Sequence, residues 1–469
     1  MNHFLYFQIF PLLFLFLVLT RLERSVFIQR FGILLLFIFG FSLQFLFWYL
    51  SHPNLENPDS MGFYRLAHGL EIDLRNILFR PKLYPIFLGL FPTLKLTTFF
   101  QVILKTGIGY FILRLSKIFA WKLGTTLFIL TLYFINSLWL QEPLRVMDSM
   151  LFTFLWTASF WLFIECLYQF STRHFFSLCI CMGLASLTRQ VGDLSFFVMS
   201  IVLIIHLVQK KEFQHLQFFR LRFLFPLSLG ILIAFSGLLW NGLNYGIYKR
   251  TVAVAVSLYT HSSYYQLANN LDEEWKYVEK YLPDAQANLG SWKTNYRFDI
   301  PWAVNALPHD LERALLKTGD MGIVETDEGI QARFLNWVRN NPKKYAASVG
   351  NELMRLLWKC EEYYPESILE KGFNRFSIKT PVFMVRFERG IIHLSIGFLV
   401  GIAIFGFFLD KRRRHLLLLP LLGIGIYLIL IPSVQLGFTR YGFPVIPILL
   451  ILFGHTCDQI RNKFVRSAS

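Results

Sequence analysis

The sequence predicts an all-α membrane protein with about eleven transmembrane helices and a mainly helical domain on the side of the membrane away from the cytoplasm. Of the 469 residues, 55% are hydrophobic and only 16% are charged, which is too apolar for a soluble chain of this length. Residues 32–50, 125–140 and 416–431 carry no charge at all. Each stretch has, or nearly has, the length that crosses a hydrocarbon core of about 30 Å.

The net charge of +16 is concentrated in short connections between apolar runs. Residues 246–380 contain 17 basic and 17 acidic side chains, so 29 basic and 13 acidic side chains lie elsewhere. Short basic loops mark the cytoplasmic side of a membrane. Topology therefore accounts for the charge without nucleic-acid binding. The basic clusters are Arg21, Arg24 and Arg30; Arg114, Lys117 and Lys122; Lys210, Lys211, Arg220 and Arg222; Lys411, Arg412, Arg413 and Arg414; and Arg461, Lys463 and Arg466.

This rule gives a consistent alternation of sides along the chain, with the N-terminus outside and the C-terminus inside. We interpret the first apolar run as a retained span, because Arg21-Leu22-Glu23-Arg24 follows it where signal-peptide cleavage needs small residues. The predicted spans cover residues 4–20, 31–50, 96–115, 123–140, 149–168, 174–189, 193–208, 223–245, 388–409, 415–434 and 443–457.

The spans divide the chain into a transmembrane core over 1–245, an extracytoplasmic domain over 246–380 and a C-terminal transmembrane segment over 381–469. The first outward loop, 51–82, predicts an amphipathic helix along the membrane surface. Its apolar residues at helical spacing are Phe63, Leu66, Ala67, Leu70, Leu74, Ile77 and Leu78. Two further outward elements are a short apolar piece, Leu83–Phe91, and a helix from Arg333 to Trp358 interrupted at Pro342.

Two carboxylates on the outward face are the first candidates for chemistry. Asp59 begins the predicted amphipathic helix, and Asp148 precedes the span 149–168. Ionisable groups at the ends of spans need solvation or a partner, and are often functional. Helix capping is the alternative for both, since Asp is a favoured N-cap residue. Arg145 lies one helical turn before Asp148 and is a candidate partner for it.

Four cations on the same face could together bind a phosphate group. They are Arg80, Lys82, Arg189 and Arg440. Anchoring at the membrane interface is the alternative for each of them. The sequence has no phosphate-binding glycine-rich loop, dinucleotide fingerprint or zinc-protease motif, and its five cysteines have neither metal-ligand nor redox spacing.

Several segments resemble, in order, the GT-C class of membrane glycosyltransferases, in particular the branch of protein O-mannosyltransferases and lipid A aminoarabinose transferases. The matching segments are Asp59 in the first outward loop; Arg80-Pro81-Lys82-Leu83-Tyr84-Pro85; Asp148-Ser149-Met150-Leu151-Phe152; Gly183-Leu184-Ala185-Ser186-Leu187-Thr188-Arg189; Asn341-Pro342 with Tyr345; and Arg440-Tyr441 with Pro444 and Pro447. Two positions depart from the family pattern. Ser60 stands where a second acid is common, which weakens the case for a metal site, and Lys82 replaces a proline.

The resemblance implies transfer of a sugar from a polyprenyl-phosphate carrier to a lipid, glycan or protein acceptor, at the outer face of a bacterial inner membrane. Asp59 would take the proton of the acceptor hydroxyl. Arg189 and Arg440 would stabilise the phosphate of the departing carrier. Asp148 is the second carboxylate of the catalytic set. The resemblance leaves open whether a divalent cation takes part in the reaction.

Two other classes of function fit parts of the sequence. A transporter or flippase usually places ionisable groups near the middle of the bilayer and has repeated halves, whereas the charges here gather at span ends and no repeat is visible. An envelope glycan polymerase or ligase would use outward arginines and acids on a similar lipid-linked substrate. A scaffold would leave the outward cations without a role.

Overall fold

The computed structural model describes residues 2–50, 58–69, 83–135, 142–189, 338–358, 396–409 and 443–468, with short pieces inside 199–203, 228–236 and 421–428. Regular structure in these ranges is helical, and no β-strand occurs in them. This confirms the all-α class. The helices are α1 (Asn2–Leu22), α2 (Val26–Leu50), α3 (Pro58–His68), α4 (Leu83–Gly89), α5 (Leu94–Ile118), α6 (Leu123–Ile135), α7 (Ser149–Tyr168), α8 (Thr172–Thr188), α9 (Pro342–Trp358), α10 (Ile396–Leu409) and α11 (Ile446–Ala468), with 3₁₀ turns at Glu142–Leu144 and Phe443–Val445.

Three helices in this part of the chain are long and apolar enough to cross a membrane: α2, α5 and α7. They contain the predicted spans 31–50, 96–115 and 149–168, and the bounds of α7 match the prediction residue for residue. The predicted spans 193–208, 223–245 and 415–434 lie largely outside the described ranges.

Two helices extend beyond their predicted spans. Helix α2 begins at Val26, five residues before the predicted span 31–50, after a turn of three residues from α1. Helix α11 continues to Ala468, well past residue 457. Its polar last turns are stabilised by Asp458 and Arg461, which bond to groups on neighbouring segments.

The chain divides into two compact units. The first comprises Met1–Leu239, Leu357–Gly425 and Gly442–Ser469, and the second comprises Trp240–Leu356 and Ile426–Tyr441. Helix α9 belongs to the second unit apart from its last two residues. It begins at Pro342 directly after Asn341, as the predicted interruption requires, since proline is favoured in the first turn of a helix. The predicted domain boundaries at 245 and 380 remain predictions.

The helices of the first unit meet at two opposite ends. At one end, here called the Glu23 end, the turn from α1 to α2 contacts the start of α6 and the last part of α11. At the other end, called the Asp148 end, Trp48 near the end of α2 donates to the carbonyl of Lys95 at the start of α5, at 3.0 Å. The loop 142–148 and the last residue after α8 also lie at the Asp148 end.

Helix α7 lies at the centre of the first unit. In its most apolar stretch of 18 residues, 83% of the residues are buried inside the protein, whereas the corresponding share for α2 is 17%. It packs against α5 and α8. The hydroxyls of Thr153, Thr157 and Ser159 donate to backbone carbonyls one turn earlier, at 2.7–2.8 Å, which satisfies these buried polar groups inside the helix.

Polar groups at the Glu23 end tie three segments together. The Glu23 carboxylate accepts from the Gly124 N–H at 2.6 Å and from Arg461 Nη1 at 3.0 Å. Asp458 accepts from the Lys122 N–H at 2.9 Å. Burial alone would raise the pKa of Glu23, but the hydrogen bond of Arg461, the Gly124 N–H and the charges of Arg461 and Lys122 hold it below its usual value. These bonds fix the first turn of α6 against α11.

The predicted amphipathic helix is shorter than its apolar periodicity indicates. Helix α3 ends at His68, and Gly69 follows with φ +63°, the left-handed conformation with which glycine commonly ends helices. Its buried face contains Ser60 and Phe63, and the Phe63 ring packs edge-on against Tyr84 of α4 at 5.0 Å. Phe63 is thus covered by α4, residues 70–82 of the predicted stretch lie outside the described ranges, and the placement of this loop along a membrane surface remains a prediction.

Helices α10 and α11 approach closely at Gly406. A Cβ atom at this position would overlap the side chain of Thr456 on α11, whose hydroxyl also donates to the Ile402 carbonyl at 3.2 Å. We expect Gly406→Ala to lower the free energy of unfolding by about 1–3 kcal/mol, because overpacking forces the two helices apart. Unfolding in mixed detergent micelles would measure this.

Gly401 on the same helix provides the matched control, since within the described part of the chain no atom lies within 4 Å of the point that a Cβ would occupy there. Gly401→Ala should leave the free energy of unfolding within about 0.5 kcal/mol of wild type or raise it slightly. Equal effects of the two substitutions would contradict the close approach.

Candidate functional site

The central feature of the Asp148 end is a two-point ion pair between Asp148 and Arg189. Arg189 Nε donates to Asp148 Oδ2 at 3.0 Å, and Arg189 Nη2 donates to Asp148 Oδ1 at 2.7 Å. Only 9% of the Asp148 side chain and 14% of the Arg189 side chain are exposed. Such a planar, two-bond arrangement is the strongest form of arginine–carboxylate pairing.

The ends of two helices bring these residues together. Asp148 occupies the N-cap position of α7, but its side chain makes no capping hydrogen bond. Capping is therefore not what the Asp148 carboxylate does. Arg189 follows α8 with extended backbone, φ −151° and ψ 135°, which directs its chain away from the helix. The guanidinium also lies over the ring of Phe152, 5.6 Å from its centroid and one helical turn after Asp148.

Gln101, which is fully buried on α5, holds the loop before α7 in place. Its side-chain amide donates to the carbonyl of Pro143 at 3.2 Å and to the carbonyl of Arg145 at 2.8 Å. The hydroxyl of Tyr84 points at the Gln101 amide oxygen at 3.5 Å. One buried amide thus links α4, α5 and the loop 142–148.

Glu142 is a second buried carboxylate at this end, and it was not among the predicted site residues. It accepts a hydrogen bond from the Ser149 hydroxyl, and its other oxygen lies 3.7 Å from Arg145 Nη1. Burial, and next the charges of Asp148 and Glu142, raise the pKa of Tyr84 well above its usual value. Tyr84 therefore stays protonated and lies near both carboxylates. The available signal in the sequence was an acidic residue six positions before Asp148, in the same loop.

The other predicted site residues are placed less fully. Asp59 lies in the first turn of α3, one turn before Phe63, which contacts Tyr84. Arg80, Lys82 and Arg440 lie outside the described ranges. The chain is described again from Phe443, where the 3₁₀ turn Phe443–Val445 packs against α7. The structure thus brings Asp148 and Arg189 together, and the predicted convergence of all six residues remains a prediction.

One ionisable residue departs from the predicted clustering of charges at span ends. Lys105 lies in the middle of α5 and is 1% exposed. Its ammonium donates to the side-chain oxygen of Gln44 on α2 at 2.6 Å. Its backbone carbonyl accepts from the Tyr133 hydroxyl on α6 at 2.7 Å. Lys105 is therefore a polar junction of three helices well inside the helical bundle.

No group of three or more His, Cys, Asp or Glu side chains able to hold a metal ion occurs among the residues that the structure describes. No protein-family profile, curated protein or solved structure matches the chain. Function is therefore argued from the residues at the Asp148 end.

Proposed function

We propose that the protein transfers a sugar from a polyprenyl-phosphate donor to a lipid, glycan or protein hydroxyl at the outer face of the membrane. The single observation that carries the proposal is the buried two-point pair of Asp148 and Arg189 beside Glu142 and Tyr84. A guanidinium held in one orientation before substrate arrives is the arrangement that stabilises charge developing on a leaving phosphate.

The reaction breaks the bond between the sugar C1 and the phosphate oxygen, and the electron pair leaves with the phosphate. The acceptor oxygen forms the new bond to C1, and its proton passes to Asp59. Arg189 and Arg440 bind the phosphate, with Arg80 and Lys82 in the same phosphate-binding set. Asp148 acts through Arg189, because two of the five guanidinium N–H donors bond to its carboxylate.

The proposed setting is a GT-C-like bundle of about eleven spans in a bacterial inner membrane. The Asp148 end faces outward and the Glu23 end faces the cytoplasm, since Arg21, Arg24, Lys122 and Arg461 lie at the Glu23 end. Residues 246–380 form the proposed outward domain, which selects the acceptor. The carrier lipid enters between helices from the bilayer.

A transporter is the second candidate, and Lys105 is the observation in its favour. An ionisable side chain buried in the middle of a span is a feature of substrate and proton pathways. Glycosyl transfer is the better-supported proposal, because the Asp148 end holds two carboxylates and two arginines. Lys105, in contrast, makes a hydrogen bond to Gln44 of the kind that holds neighbouring membrane helices together.

Asp59→Asn tests the proposed reaction. We expect the substitution to abolish sugar transfer in proteoliposomes containing a polyprenyl-phosphate sugar, while the melting temperature stays near that of wild type. The amide has the shape of the carboxylate but cannot accept the proton. If activity survives within about tenfold, a change of only ~1.4 kcal/mol in the barrier, Asp59 is not the base.

A further inference from the structure

The two arginines of the Asp148 end are held in different ways. Arg189 donates two hydrogen bonds to the Asp148 carboxylate, at 3.0 and 2.7 Å. Arg145 lies 3.7 Å from Glu142, which is longer than a hydrogen bond, and 24% of its side chain is exposed. The Arg145 side chain is thus the more exposed of the two, since 14% of the Arg189 side chain is exposed.

The backbone under Arg145 is fixed. Its carbonyl accepts from the buried amide of Gln101 at 2.8 Å, and its N–H donates to the Glu142 carbonyl at 3.1 Å. Within residues 142–150, Leu144 and Arg145 alone are partly exposed, and the others are buried. A single charged side chain therefore emerges from a loop that is otherwise packed into the protein.

The Glu142 carboxylate also accepts a hydrogen bond from Ser149, so it stays beside Arg145 as a buried counter-charge. A guanidinium has five N–H donors, so an incoming phosphate can bond to the exposed side of Arg145 while Glu142 keeps its place. Phosphate also matches the planar fork of a guanidinium with two parallel hydrogen bonds.

We propose that Arg145 binds the phosphate group of a long-chain lipid phosphate, with Glu142 holding the guanidinium in place. This rests on the proposed function, since it names a further phosphate-binding residue for the same donor. The ligand class is an alkyl phosphate monoester or diester. A phospholipid headgroup and inorganic phosphate offer the same oxygen atoms, and the experiment separates these sources.

The test measures binding of farnesyl phosphate to the purified full chain in detergent, by isothermal titration calorimetry. We expect Arg145→Gln to raise the Kd at least tenfold. Arg145→Lys should raise the Kd less, because lysine keeps the positive charge but lacks the two parallel N–H donors of a guanidinium. Glu142→Gln should lower the Kd about threefold, since it removes the competing charge and keeps an oxygen for Ser149. Farnesol, inorganic phosphate and phosphatidylglycerol form separate arms.

Arg114→Gln is the matched control. Arg114 lies 3.4 Å from Glu165 at the opposite end of α5 and α7, so the substitution removes the same kind of pair far from the Asp148 end. Its Kd should equal that of wild type within about twofold. Melting temperatures recorded for every variant separate weak binding from failure to fold, and Arg145→Lys remains informative if Arg145→Gln does not fold.

Three outcomes would overturn the inference. The first is an Arg145→Gln variant with the Kd of the Arg114→Gln control. The second is a Glu142→Gln variant that loses both binding and thermal stability, because Glu142 would then only hold the loop. The third is equal competition by phosphatidylglycerol, which would make the site one for membrane lipids.

Failure of the inference and failure of the proposed function give different results. A wild-type chain that binds farnesyl phosphate through Arg145 but transfers no sugar contradicts the proposed function and leaves the binding site standing. An active chain whose Arg145→Gln variant keeps the wild-type Kd contradicts the inference alone.

Discussion

Arg189→Ala is expected to lower the free energy of unfolding by about 3–5 kcal/mol, because it leaves the buried Asp148 carboxylate without its two-point partner. The loss should be visible as a lower melting temperature and an earlier transition in mixed detergent micelles. Arg114→Ala is the control, since its contact with Glu165 is longer and 39% of the Arg114 side chain is exposed. That substitution should cost less than about 1 kcal/mol. Equal losses for the two arginines would contradict the buried pair.

A double substitution separates the stability of the pair from its function. Asp148→Leu combined with Arg189→Met replaces the ion pair by apolar side chains of similar volume, and stability should recover to within about 2 kcal/mol of wild type. Sugar transfer should be lost, because the Arg189 guanidinium no longer stabilises the leaving phosphate. Recovery of transfer with stability would show that Arg189 has a structural role only.

Gln44→Leu is expected to lower the free energy of unfolding by about 1–3 kcal/mol, because it removes the side-chain oxygen that accepts from the buried Lys105 ammonium. Gln29→Leu on the same helix is the control. Gln29 is exposed and donates to the Glu23 carbonyl at 3.0 Å, so its loss should cost about 0.5 kcal/mol or less. Both are measured by unfolding in mixed micelles.

Lys105→Met shows whether Lys105 only holds α2 and α5 together or also takes part in the activity. If Lys105 only holds α2 and α5 together, Lys105→Met should keep sugar transfer near the wild-type rate. The substitution removes the buried charge itself, so no charge is left without a partner. Complete loss of transfer in a variant of normal stability would contradict a purely structural role for Lys105.

The parts of the fold that follow from local pattern were predicted well. Uninterrupted apolar residues and the polar Asp148 before them predicted α7 with its bounds, and Pro342 predicted the start of α9. The end of α3 was within reach of the sequence, because Gly69 is a typical helix terminator. It was missed because the apolar spacing continues past Gly69 at the same period.

The contacts of the candidate site could not be predicted, because they join residues distant in the chain. Asp148 and Arg189 are 41 positions apart, and Gln101 and Arg145 are 44 apart. Each pairing depends on how α8 and α5 pack against α7, which composition and periodicity do not determine. Arg145 was therefore considered as a partner of the neighbouring Asp148, whereas the structure places it against Glu142.

The enclosure of α7 by other helices has a consequence for how the bilayer acts on the protein. In the proposed membrane setting, acyl chains would contact the exposed side chains of α2, whereas α7 is surrounded mainly by other parts of the protein. A thinner or thicker bilayer is accommodated first by tilting of the lipid-facing helices. We therefore expect a change in bilayer thickness to affect the rate at which the proposed lipid donor enters more than it affects the geometry of the Asp148–Arg189 pair at the start of α7.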